Sequence, residues 1–415
     1  MDTLYKSVRS RKRLSQAWRK VNENGRISKS PQTRKEVAVF SNDADSNIER
    51  IYRSLLTHRF AFAPARGVLI DRPGKKPRPL VVSPIPSRIV QRSILDVLQS
   101  LPEIQNYVKT PTSFGGIEHR GVRHAIESAY RAMNGGTTYF IRTDIKSFFT
   151  GVPRDEVLKR IAETIEDNSF NKLLKDAVTT ELSNMEELKK AADLFPIYEI
   201  GVAQGCCLSP LFANVLLYDF DKQMNQGHIT CLRYIDDFVL LGPDQKTVRA
   251  AFKEAMKMLA QYSLEVYDPA KEKDKSEEGY AKNGFKFLGC KILPGLISPN
   301  KKSRERLLNS IRDLLDKSIR SMSNPLRASQ DRTSFADTLV TVSRILKGWG
   351  DQYSYCNNKD MMAVLDGRIN EQLSSYCGRY EQMKKLRSRK DALTERRLMG
   401  VHLLTDSKQD PILVS

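Results

Sequence analysis

The chain has 415 residues, of which 40% are hydrophobic and 28% charged, with a formal net charge of +19. That length calls for two or three subdomains, the composition excludes a disordered chain, and no apolar run approaches the roughly 20 residues that cross a bilayer. The positive excess suits a polyanion, because each phosphate contact would release counterions. The six cysteines, Cys206, Cys207, Cys231, Cys290, Cys356 and Cys377, show no Cys-x-x-Cys spacing and no companion histidines. Free thiols in a reducing compartment are therefore expected rather than a zinc site. The basic N-terminus has no apolar stretch behind it, so a cytosolic location is expected.

In chain order, the first 36 residues are basic (Arg9, Arg11, Lys12, Arg13, Arg19, Lys20) and read as a helix lying on nucleic acid or a solvated arm. Ile48, Ile51, Tyr52 and Leu55 then give a helical period over residues 47–56. Residues 66–82 place two β-rich runs around Arg72-Pro73-Gly74, a hairpin with a basic tip. Helical spacing returns over 89–98, and residues 138–145 form an apolar strand that ends on an acid. Residues 156–194 are helical in composition, and Ser209-Pro210 opens an apolar helix over 208–221. Residues 231–241 read as two apolar strands around a carboxylate pair, 247–261 as an amphipathic helix and 284–293 as a short hairpin. Beyond Pro299 the pattern is helical almost to Arg389, which suggests a separate helical subdomain.

The segment CLRYIDDFVLLG, residues 231–242, carries the most chemistry. Adjacent aspartates among apolar β-formers are costly unless something pairs with them. A tight hairpin turn favours Asn-Gly or Asp-Gly, whereas the next glycine here is Gly242. A divalent cation would relieve both repulsion and desolvation at Asp236 and Asp237. Asp144 also ends an apolar strand, so two central strands could set three carboxylates side by side. Such a set can hold two Mg²⁺ ions about 3.5–4 Å apart, one activating a 3′-hydroxyl and one stabilising a leaving pyrophosphate.

YIDD at 234–237 resembles the Tyr-x-Asp-Asp box of reverse transcriptases, and further boxes follow that family's order. Residues 74–98 (GKKPRPLVVSPIPSRIVQRSILDVL) resemble the fingers block of bacterial enzymes of group II intron type, and 113–126 (SFGGIEHRGVRHAI) the next block. FIRTDIKSFFTGVP (140–153) resembles the strand with the first catalytic acid, and GVAQGCCLSPLFANVLLYDFD (201–221) the nucleotide-pocket helix. NGFKFLGCKI (283–292) resembles the primer grip, and ILKGWGDQYSY (345–355) the thumb signature. Ser87 stands where an aspartate is usual, and Ala203 and Cys206-Cys207 depart from the family's pocket. Three lysines, Lys271, Lys273 and Lys275, compete for the lysine of the box after YIDD.

The resemblance implies an α+β right-hand polymerase that makes DNA on RNA. Residues 1–139 would be a basic extension and fingers, 140–299 a palm with an antiparallel sheet and an inserted helical segment at 155–200, 300–390 a helical thumb, and 391–415 a tail. Asp144, Asp236 and Asp237 would be the catalytic acids, holding two Mg²⁺ ions with the backbone carbonyl of Ile145. Lys75, Lys76, Arg78 and Gln204 would contact the dNTP, and Phe149 would exclude a 2′-hydroxyl. The basic residues Arg11, Lys12, Arg13, Arg19, Lys384, Lys385 and Arg387, with Arg389 and Lys390, would grip RNA or the DNA product. Nothing after Arg397 has HNH-type spacing, so the expected relative is a free-standing defence-associated enzyme that copies a dedicated non-coding RNA. A retron or intron-type enzyme and a non-polymerising RNA-binding maturase are the alternatives.

Overall fold

The protein is described from a computed structural model over residues 3–72, 75–387 and 392–406. Two compact units divide the chain, Met1–Phe285 and Lys286–Ser415.

The first unit opens with helices Thr3–Val8, Arg11–Arg26, Pro31–Ser41 and Ala44–Leu56. Ser10 caps the second, its hydroxyl accepting from the Arg13 amide at 3.3 Å. Leu14, Ala17, Trp18 and Val21 then recur at helical spacing and are buried. This stripe packs on helix Ile85–Leu98. The basic segment is thus neither a solvated arm nor a helix free to lie wholly on nucleic acid: its inner face is core, and only the outer face carries charge. Buried Asp167 joins this bundle to helix Asn168–Val178, with Oδ1 accepting from Phe170 N and Oδ2 from Leu4 N and Tyr5 N.

Strands β1 (Arg66–Arg72) and β2 (Lys75–Val82) form the antiparallel hairpin, with Ile70 opposite Arg78. Its turn residues Pro73 and Gly74 lie outside the described residues. A second sheet holds β3 (Tyr139–Asp144), β4 (Thr230–Tyr234), β5 (Asp237–Gly242) and β6 (Glu277–Tyr280). All its pairings are antiparallel, in the order β4-β5-β3-β6. Ile141, Phe238 and Leu240 of this sheet share one buried core with Phe148, Phe212 and Phe220. Each such fully buried side chain stabilises by about 1.5–3 kcal/mol. Residues 154–194 are not one helical run. Helix Arg154–Thr164 ends before the Asp167 cap, and helix Asn168–Val178 ends before Thr179-Thr180. The apolar helix after Ser209 likewise breaks at Leu217, giving Ser209–Leu216 and Tyr218–Gln223.

In the second unit β8 (Cys290–Leu293) and β9 (Leu296–Pro299) follow β7 (Phe285–Phe287) in a three-stranded sheet. Helices Lys301–Ser321, Pro325–Gln330, Phe335–Gln352, Lys359–Arg387 and Ala392–Met399 come next. Leu307, Ile311, Leu315, Val342 and Tyr376 form a core of their own. The Gly-Trp segment lies in the third of these helices, and Trp349 packs on Tyr353 at 4.6 Å. Gly289, at φ +85°, leaves room for the Tyr353 hydroxyl.

Candidate active site

The β4–β5 connection is a two-residue turn, Ile235-Asp236, closed by the pairing of Tyr234 with Asp237. A tight turn without glycine runs against sequence preference, and the backbone records the conflict: Ile235 sits at φ +62°. A β-branched residue there carries about 1–3 kcal/mol of strain, a level found where the surroundings over-determine the conformation. Those surroundings are specific. Ile235 O accepts from Arg233 Nη1 at 2.9 Å, and Asp236 O accepts from the Ile145 amide at 2.9 Å. Gly115 lies against the turn so closely that a Cβ there would stand 2.5 Å from Ile235 Cγ1.

Across β3 and β5, Asp144 is the register partner of Asp237, and Asp236 adjoins both in the turn. Burial, then the charge of Asp236, pushes the Asp144 carboxyl up to about 7. Burial also pushes Asp237 up to about 7, although Arg142 pulls the other way. Asp236 is raised by burial as well, against the pull of its own backbone amide and Arg78. The Asp144–Asp236 contact itself acts in opposite directions on the two groups, raising Asp144 and lowering Asp236. Arg142 Nη1 is 3.8 Å from Asp237 Oδ1, and that oxygen is buried with no hydrogen-bond partner among the described residues.

Arg142, Arg78 and Lys275 supply positive charge at this edge of the sheet. The side chains as they stand do not gather three ligands onto one point among the described residues. The orphaned Asp237 oxygen and the hard carboxylate donor set nevertheless fit a divalent cation, which reverse transcriptase domains generally use.

Of the residues expected to contact a nucleotide, Arg78 and Gln204 are bonded to each other beside the acids. Arg78 Nε donates to Gln204 Oε1 at 2.6 Å, and the Arg78 charge reaches Asp236. Gln204 O accepts from Val81 N at 2.8 Å, which ties the pocket loop to β2. Gly205 follows at φ +114°, where a Cβ would stand 2.5 Å from Val81 O, so a side chain is excluded. Phe148 is core, whereas Phe149 is half-buried, and its carbonyl accepts from Val202 N at 2.7 Å. Ile145 is buried beside the acids. Lys76 is exposed on the hairpin, and the side chain of Lys75 lies outside the described residues. Among the three competing lysines, Lys275 is the one whose charge acts on Asp144, and it stands 5.3 Å over the Tyr267 ring.

The basic residues expected to hold nucleic acid are placed differently. Arg11 makes two hydrogen bonds to Glu49, at 2.7 and 3.0 Å, and stacks on Tyr52 at 3.7 Å. Lys12 is exposed, and Arg13 and Arg19 line a shallow hollow with Lys20 and Gln99. All stand on the N-terminal helices rather than among the carboxylates. In the second unit Lys384 pairs with Glu395 at 2.7 Å and Lys385 is exposed. The side chain of Arg387, and Arg389 and Lys390, lie outside the described residues. Residues that pattern alone did not single out are Arg142, Arg233 and Asp221. The available signal was an arginine inside each of two otherwise apolar strands.

Residues 70–292 match the family described as reverse transcriptase (RNA-dependent DNA polymerase). The chain is 28% identical over 175 residues to an uncharacterized 91 kDa protein in the cob intron of Schizosaccharomyces pombe, 42% of this chain and 20% of that protein. It is 25% identical over 276 residues to protein YkfC of Escherichia coli, covering 58% and 69%. With the group II intron-encoded protein LtrA of Lactococcus lactis it shares 27% over 181 residues, 43% of this chain and 28% of that one. Among solved structures, telomerase from Candida albicans with a telomeric RNA fragment aligns with TM-score 0.44 at 10% identity, covering 85% of this chain and 63% of that one. A partial Cas6-RT-Cas1–Cas2 complex aligns with TM-score 0.37 at 21% identity, covering 62% and 42%. The fold class is α+β, with the antiparallel sheet and helices of a right-hand polymerase. More than half of the chain lies within the matched region, which carries Asp144, Asp236, Asp237, the loop around Gln204 and all of β2: the protein belongs to the reverse transcriptase family.

Proposed function

We propose that the protein is an RNA-directed DNA polymerase that extends a 3′-hydroxyl with dNTPs, using two Mg²⁺ ions held by Asp144, Asp236, Asp237 and the Ile145 carbonyl. The observation that carries this reading is the register pairing of Asp144 with Asp237, both raised to about 7 by burial, with Asp236 in the adjoining turn and the charge of Arg78, bonded to Gln204, acting on it. When bound, the ions would activate the attacking hydroxyl and stabilise the leaving pyrophosphate. Arg78, whose side chain is bonded to the neutral amide of Gln204, would exchange it for a triphosphate oxygen, a stronger charge-assisted partner. The half-buried Phe149, whose backbone is tied to Val202, would supply a wall where a 2′-hydroxyl needs space. Lys275 adds positive charge on the Asp144 side, suited to a departing pyrophosphate. Primer extension on an RNA template with labelled dNTPs tests the reading. RNA binding with no incorporation would favour the maturase alternative.

The finer setting extends the same reading. The intron-type motif blocks and intron-encoded relatives support copying of an RNA. Beyond that support, we place the enzyme in a bacterial cytosol and in antiphage defence with a dedicated non-coding RNA. No described helix is long and apolar enough to cross a membrane. Sequencing the RNA that co-purifies, and plating phage on cells with and without the active protein, tests this setting. An intron or retron RNA in the purified complex would move the protein to one of those branches.

A further inference from the structure

Arg233 heads the fully buried side chains of the described residues. It lies in β4, directly before the catalytic turn. A cation withdrawn from water is strongly destabilising unless paired and hydrogen-bonded. Here every arm of the guanidinium is engaged. Nε and Nη2 donate to Asp221 Oδ1 and Oδ2 at 2.7 and 2.6 Å, and Nη2 also reaches Ser113 Oγ at 2.9 Å. Asp221, 2% exposed on helix Tyr218–Gln223, is steadied in turn by the Thr110 hydroxyl at 2.9 Å. The remaining arm, Nη1, donates to Ile235 O at 2.9 Å.

That last contact carries the inference. Ile235 O belongs to the peptide plane joining Ile235 to Asp236, so holding it fixes the torsions on both sides, including the one that aims the Asp236 side chain. Ile235 is at φ +62°, a conformation that relaxes unless restrained. A buried ion pair is by itself a poor source of stability compared with apolar groups of the same volume. The gain available here is geometric: a planar fork spans a carboxylate on one element and a carbonyl on another at once.

We propose that Arg233, itself oriented by Asp221, is a positioning residue that fixes the Ile235–Asp236 peptide and thereby holds the Asp236 carboxylate ready as a cation ligand. This rests on the metal-site reading above.

The test is Mn²⁺ binding by the full chain, followed by electron paramagnetic resonance, with Asp236→Asn/Asp237→Asn as the reference for site loss. Two variants probe the pair. Arg233→Lys keeps the buried charge near Asp221 but has no fork to reach both partners. Arg233→Met/Asp221→Leu replaces the pair by apolar groups, a change close to neutral for folding. Supporting partners of metal ligands are typically worth about 10- to 100-fold in affinity, so each variant is expected to raise the Mn²⁺ dissociation constant by that factor with an unchanged circular dichroism spectrum. A variant that is folded, even with a lowered melting temperature, and binds Mn²⁺ as the wild type does overturns the positioning role. Equal binding by wild type and the Asp236→Asn/Asp237→Asn reference overturns the metal-site reading itself, and this inference with it.

Discussion

The carboxylate edge of the central sheet and the N-terminal helices both concentrate charge, yet they treat it in opposite ways. At Asp144, Asp236 and Asp237 like charges are crowded into a partly buried site, and burial raises all three. On helix Arg11–Arg26 the charges face solvent over an apolar inner stripe, and Arg11 and Lys20 already have partners in Glu49 and Asp96. Exposed pairs of this kind contribute about 0–1 kcal/mol and are easily exchanged for a phosphate. Buried, crowded like charge is different: it is costly even with Arg142 nearby, and a bound cation would relieve it. Unfavourable electrostatics therefore locate the chemistry better than the density of charge does.

The largest effect should come from removing the unfavourable charge. Asp236→Ala/Asp237→Ala is expected to lower the rate of dNTP incorporation by at least about a thousandfold, some 4 kcal/mol of transition-state stabilisation, while RNA binding survives. Robust primer extension by that variant would break the comparison at its root. Next, Phe149→Ala should raise ribonucleotide incorporation relative to deoxynucleotide by about tenfold or more, as removing a steric wall does. A folded, active variant with unchanged sugar discrimination would make Phe149 a packing residue like Phe148. Arg78→Ala should raise the KM for dNTP by about tenfold, on the scale of one charge-assisted contact, and leave RNA affinity unchanged. An effect on RNA affinity instead would move Arg78 to the template path. The smallest effect belongs to the helices. Neutralising Lys12, Arg13 and Arg19 together should flatten the log–log salt dependence of RNA affinity by about two units, and Arg11→Ala alone should change it least. An unchanged slope in the triple variant would leave these helices as a solvated face.

The parts of this protein that were legible in sequence are those with short periods or fixed spacing. The hairpin around Pro73-Gly74, the strand ending at Asp144 and the helix begun by Ser209-Pro210 follow from local pattern. So does the order of the boxes, which placed Arg78, Phe149, Gln204 and the three acids as candidates; the fold bonds Arg78 to Gln204 and sets Asp144 opposite Asp237. The N-terminal core stripe was hidden because Leu14, Trp18 and Val21 alternate with so many basic residues that composition drowned the period. The Ile235-Asp236 turn was hidden for a different reason. Ile235 breaks the local rule for tight turns, and only non-local partners, Arg233 and Gly115, make that conformation tolerable. Lys275 could not be chosen over Lys271 and Lys273 without knowing which ammonium faces Asp144.

The central claim, that these buried carboxylates form a cation site, is tested most directly by thermal unfolding against pH with and without Mg²⁺. Asp144 and Asp237 move from an ordinary value of 3.8 to about 7 in the folded protein, so the native state binds more protons than the unfolded chain between those values. Their contribution to stability is therefore full below about 3.8 and is lost as the pH rises through about 7. Relative to Asp144→Asn/Asp237→Asn, the metal-free wild type should lose stability steadily over that window, and at pH 8 Mg²⁺ should raise the melting temperature of the wild type alone. Parallel pH profiles for the two proteins, or an equal Mg²⁺ shift in both, would contradict the account.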